Sequence, residues 1–276
     1  MHDIPLLAFT CGLEVAVGVL AIVTIASFVD DREGYKTAAC VSAACALAAM
    51  LASLFHLGVP TRAILAITGF GSSPLSNEIV LVGAFAALAV LYAVLGFLPK
   101  VDTRIKKVVA VLGSCVGFAS LIAVGIAYAN AEVPLWDSMS TYIEPITAAL
   151  SCGAVIFLAL YFKKINSTMM RIAGTIAIAA VVLQVAYAVP DYAGLALGAG
   201  AAASSAQVIA SSSSALAAGW VLVGAGVSLS AWQVAHGDNV GGVGMAWGAA
   251  GALTIGQIIV RFFFYAAMVT TAVGLL

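Results

Sequence analysis

Three residues of types suited to proton chemistry fall within one stretch, Ser53 to Ile79 (SLFHLGVPTRAILAITGFGSSPLSNEI): His56, Arg62 and Glu78. Imidazole is the side chain whose unperturbed pKa lies nearest neutrality, and a buried carboxylate is tuned in the same direction. A proton acceptor beside a carboxylate that passes the proton on is what the oxidation of a quinol requires, since that reaction releases two protons with two electrons. His56 and Glu78 are therefore the candidate catalytic pair, with Arg62 in the same wall. Two further ionisable groups, Glu14 and Arg261, interrupt apolar runs near the two ends of the chain. Charges inside such runs usually face a bundle interior or a cavity. Both fall in the same half of the bilayer, so the expectation is that Glu14 pairs with Arg261 or that both face one polar cavity, as further quinol-binding residues. The bland alternative is an ion pair that only fixes helix packing.

The elements that position these groups follow from composition. Of 276 residues, 63% are hydrophobic and only 8% charged. A soluble domain carries about 25% charged residues, so this chain lacks the polar surface of one. Apolar runs of about 20 residues recur instead, which indicates an integral membrane protein. The reading is all-α: one polytopic membrane domain over residues 1–276 with eight spans, near 5–28, 37–58, 78–98, 107–129, 142–162, 170–189, 207–230 and 246–271. The runs are continuous rather than alternating, which disfavours a β-barrel. The opening MHDIPLLAF has no basic segment and reads as the start of the first span rather than a cleaved signal. Segment 190–214, rich in Gly, Ala and Ser, suits a loop, a short interfacial helix or close helix packing.

Charge placement orients the bundle. Arg32, Lys36, Lys100, Arg104, Lys106, Lys107, Lys163, Lys164 and Arg171 all fall in or beside the connectors after spans one, three and five, whereas Arg62 stands alone on the other side. The positive-inside rule then places both termini, and the Arg62 connector, outside. A net charge of −1 offers nucleic acid no basic surface.

Metal and haem chemistry find little support. The five cysteines all sit in apolar runs with no Cys-x-x-Cys spacing, so no iron–sulfur ligand set is readable. The three histidines, His2, His56 and His236, form no pair within the spans, so no bis-histidine haem is expected. A quinol site without its own redox centre needs a partner to take the electrons. Gln184 and Gln257 are expected as interhelical hydrogen-bond partners, and Gly113-x-x-x-Gly117 as a packing motif. Glu132, Asp137, Tyr142, Asp191 and Tyr192 are candidates for a docking rim on the outer side.

These residues resemble a known family. His56-Leu57-Gly58-Val59-Pro60-Thr61-Arg62-Ala63, followed by Ser73-Pro74-Leu75-Ser76-Asn77-Glu78-Ile79, looks like the membrane anchor subunit of anaerobic dimethyl sulfoxide reductases. Gly256 to Tyr265 (GQIIVRFFFY) resembles that family's last helix, with Gln257 standing where an acidic residue is expected. The resemblance implies an anchor in the plasma membrane of a prokaryote that oxidises menaquinol without haem. It implies two partners: an iron–sulfur subunit with [4Fe–4S] clusters and a molybdopterin catalytic subunit. The family's quinol-site histidine and glutamate map onto His56 and Glu78. The competing readings are a small-solute transporter and a purely structural anchor.

Overall fold

The computed structural model describes residues 3–30, 35–56, 60–162, 164–236 and 242–271. It is all-helical among those residues, and eight of its helices are long and apolar enough to cross a membrane. The helices are α1 (Asp3–Val29), α2 (Lys36–His56), α3 (Pro74–Gly96), α4 (Thr103–Ala129), α5 (Ser140–Tyr161), α6 (Ser167–Leu197), α7 (Ala201–Ser211), α8 (Ser213–His236) and α9 (Val243–Ala266). A 3₁₀ segment, Pro60–Gly69, joins α2 to α3.

Each span is nearly uniform around its circumference, because lipid and protein interior are equally apolar. What selects the packed faces is small residues, which let backbones approach. At the crossing of α1 and α5, a Cβ on Gly18 would overlap the Ala149 backbone, and one on Gly153 would overlap Gly18 itself. The Gly113/Gly117 spacing packs as expected: Gly113 receives Leu20 of α1, and Gly117 receives Phe85 of α3 and Val17 of α1. α1 is thereby the central helix, packed against α2, α4, α5 and α9.

Most span ends fall within a few residues of the sequence reading, and three spans depart further. The sixth span does not stop at residue 189: α6 runs through Pro190 to Leu197. Proline removes one backbone bond and crowds one carbonyl, and the Ala- and Leu-rich residues that follow still favour the helix. The seventh span is Ser213–His236 rather than 207–230, because the chain breaks at Ser212 and the preceding residues form the separate short helix α7. This resolves 190–214 into a helix extension and a short helix. α7 is tied down by the Ser205 hydroxyl, which donates to the Ala267 carbonyl at 2.8 Å. The eighth span is Val243–Ala266 rather than 246–271.

Candidate functional site

α3 starts as its sequence demands. Ser73 caps it, accepting from the Ser76 amide, and Pro74 opens the first turn, where a missing N–H costs nothing. The Asn77 side chain accepts from the Gly71 amide at 2.6 Å, closing the turn before the helix. This geometry brings Glu78 one turn into α3 on its buried side, with 7% of its surface exposed. Glu78 lines a cavity of about 380 Å³. The walls are Phe9 of α1, Met50, Ser53 and Leu54 of α2, Ile67 of the 3₁₀ segment, and Ile79, Val82 and Gly83 of α3. The lining is apolar apart from Glu78 and Ser53. Ligand pockets of about 300–1,000 Å³ with a few placed polar groups are the usual form of small-molecule sites.

His56 is the last residue of α2, and Arg62 lies in the 3₁₀ segment, so the backbone carries both to the same end of the bundle as Glu78. Their side chains lie outside the described residues. Ser53 and Leu54, on the turn before His56, already line the Glu78 cavity.

Glu14 and Arg261 meet directly. The Arg261 guanidinium donates to the Glu14 carboxylate, joining α1 to α9, and the two are 5% and 3% exposed respectively. The ring of Phe264, one turn on, lies 5.1 Å from the guanidinium carbon. Neither Glu14 nor Arg261 is among the residues lining the Glu78 cavity. They border a separate space of about 10 Å³ together with Thr10, Tyr128, Thr141 and Pro145.

A series of hydroxyls lies beside this pair. Tyr265 of α9 donates to Thr10 of α1 at 3.0 Å, and Thr10 donates to the Leu6 carbonyl at 3.1 Å. Tyr128 of α4 is 3.0 Å from the Tyr265 hydroxyl and acts as donor in that pair, because the Tyr265 proton is already committed to Thr10. Trp136 stacks on Phe264 and donates from Nε1 to the Phe264 carbonyl at 2.9 Å, fixing the connector after α4 against the end of α9. Gln184 and Gln257 exchange two amide hydrogen bonds of 2.9 and 2.8 Å, joining α6 to α9. This is the role expected for them, and it gives the uncharged residue at 257 a partner of its own kind.

The sequence reading did not single out Glu144. It is buried in α5 at 5% exposure and lies within electrostatic range of Arg261 and Asp191. A carboxylate one turn into an apolar run was the available signal. Of the residues expected at a docking rim, Tyr192 is half-buried against α7 and α9, while Glu132 and Asp137 are exposed. Among the described residues, no group of three or more His, Cys, Asp or Glu is placed to hold a metal.

Among the described residues, a bundle of eight membrane-length helices, with Glu14, Glu78, Glu144 and Arg261 buried towards the end that carries the termini, defines a multi-pass membrane protein. Comparison with known proteins supplies the family. The sequence model of the DMSO reductase anchor subunit (DmsC) matches residues 1–266, and the chain belongs to that family. It is also similar to the C subunit of the anaerobic dimethyl sulfoxide reductase of Haemophilus influenzae, with 26% identity over 159 residues. That match covers 55% of this protein and 57% of the relative, so it spans little more than half the length of either.

Proposed function

We propose that this anchor oxidises menaquinol in the Glu78 cavity and passes the electrons to an iron–sulfur subunit, which delivers them to a molybdopterin catalytic subunit. The observation that carries the reading is a buried carboxylate lining a roomy apolar cavity, on the segment that also holds His56 and Arg62. An apolar cavity between helices suits the ring and isoprenoid tail of a quinol, and the polar groups suit its two hydroxyls. In this reading His56 takes the first proton, Glu78 takes or relays the second, and Arg62 orients the carboxylate or the quinol oxygen. Glu14 and Arg261 act from the neighbouring junction. Their pairing holds α1 against α9 and so keeps Phe9, on the same helix, in the cavity wall. The charge bias supports an orientation with this end of the bundle outside the cell, where the iron–sulfur partner docks.

The transporter reading is weakened by the geometry of its best feature. The Glu14 and Arg261 charges neutralise each other, and the space beside them admits little more than a water. The test is quinol-analogue binding and quinol-dependent turnover of the intact complex carrying His56→Ala or Glu78→Gln. Loss of both in either variant is expected, with the subunits still assembled. Full analogue binding in both variants would leave a structural anchor.

A further inference from the structure

The linked hydroxyls and the buried oxygens at the end of the bundle that carries the termini have no part in the quinol reading as stated. Glu78 is level with α4 near Val124. Gly117 faces Phe85, and Gly113 faces Leu88, so α3 and α4 run antiparallel in that register. Seven residues back from Phe85 is Glu78, and seven on from Gly117 is Val124. Tyr128 therefore lies about 6 Å further towards the helix end, one turn at 1.5 Å per residue. From Tyr128 the hydrogen bonds run to Tyr265 and Thr10. Thr10 and Tyr128 both border the small space shared with Arg261 and Thr141. Its volume of about 10 Å³ is near that needed for one water. Pro145, also on that wall, has no N–H for the Thr141 carbonyl, which leaves an acceptor free of its helical donor.

Beyond Arg261 the polar groups continue outward along α5 and α6. Glu144 lies within electrostatic range of both Arg261 and Asp191. Ser140 is one turn above Glu144 on the same face of α5. Ser140 is 7% exposed, and among the described residues its buried hydroxyl has no hydrogen-bond partner; nor have the buried oxygens Ser138 Oγ and Asp191 Oδ2. Buried oxygens left without partners cost free energy unless water satisfies them. Together with the Thr141 carbonyl, these groups place polar atoms that water could satisfy around the start of α5 and the outer part of α6, beside the apolar cluster of Trp136 and Phe264.

We propose that protons leaving the Glu78 cavity travel along Tyr128, Tyr265 and Thr10 to the water site and on to Glu144, and exit past Ser140 and Asp191 to the aqueous phase on the side of the termini. The proposal rests on the quinol reading. For each quinol oxidised to quinone, two electrons go to the iron–sulfur partner, and the two protons released leave by this route to the same side. Arg261 stays protonated throughout, orienting the water and relaying no proton. Tyr265 and Glu144 are positioning residues for proton transfer, and neither touches the quinol.

The test uses the intact complex with Tyr265→Phe and Glu144→Gln, each of which keeps the shape of its side chain. Turnover should fall about tenfold or more, as for the loss of a positioned proton acceptor. Analogue affinity should stay within about twofold of wild type, the solvent deuterium effect should rise, and Glu144→Asp should recover part of the rate. Independently, Ser140→Cys should react with a small membrane-impermeant thiol reagent added on the side of the termini, the site mapped by peptide mass spectrometry. Unchanged turnover in both Tyr265→Phe and Glu144→Gln, or a Ser140→Cys thiol that stays unreactive, overturns the route. If Glu78→Gln loses turnover while those two variants keep it, only the route fails. If Glu78→Gln keeps full turnover, the quinol reading fails and the route falls with it.

Discussion

At the scale of residues, the Glu14–Arg261 pair joins helices far apart in sequence, and each partner is more than nine-tenths buried. Breaking such a pair costs more than removing it, because the charge left behind has no water to turn to. Glu14→Ala should destabilise the protein by about 3–5 kcal/mol, whereas Glu14→Leu with Arg261→Met should recover most of that loss. Equilibrium unfolding in mixed micelles measures both, and a double variant no better than the single one would contradict the argument. The Gln184–Gln257 pair makes the milder case. Gln257→Leu strands an amide inside the bundle, and a loss of about 1 kcal/mol is expected, since interhelical hydrogen bonds in membranes are individually weak. A double Leu variant should be closer to wild type than either single one in the same titration.

At the scale of elements, the close crossing of α1 and α5 sets where the polar groups of α1 can go. Gly18 has no room for even a methyl group, whereas a Cβ on Gly248 of α9 would meet no atom within 4 Å. Gly18→Leu should therefore force the two helices apart, at a cost of about 1–3 kcal/mol for overpacking, and separate Glu14 from Arg261. Gly248→Ala should be neutral or slightly stabilising, since alanine is the better helix former. Melting temperatures of the two variants in detergent compare them directly, and equal temperatures would show that the crossing tolerates the larger side chain. The start of α3 lies four residues before the expected span, where Ser73 and Pro74 are a cap and a first-turn residue by type. The end of α6 was not legible in the sequence. Pro190 reads as a stop, but the loss of one backbone bond is small against a long helix already docked on α5 and α8.

At the scale of the whole molecule, an even number of spans puts both ends of the chain on one side, and the basic connectors choose which. A reporter fused after the C-terminal residue should be active outside the cell and inactive inside. Cytoplasmic activity would reverse the orientation and move the proposed docking face with it. The pairing of Tyr128, Tyr265 and Thr10, together with the Glu14–Arg261 pair, gathers α1, α4 and α9 at that same end. The proposed quinol cavity and the proposed proton exit therefore share one side of the membrane, and the proposed reaction would move no net proton across it.

By itself the sequence determined the class of molecule and the elements. Hydrocarbon excludes unpaired backbone, so eight long apolar runs can only be helices. The excess of Lys and Arg in alternate connectors is a local property, and it carries the expected orientation. The nearness of His56, Arg62 and Glu78 along the chain follows from a short connector. Only the tertiary structure decided which distant residues meet. Glu14 and Arg261 are 247 positions apart, and Tyr265 and Thr10 are 255 apart. Spans this uniform in hydropathy carry no stripe to say which face turns inward. That choice is made by the fit of small residues such as Gly18, Gly117 and Gly153 against their neighbours, which exists only once the helices are packed.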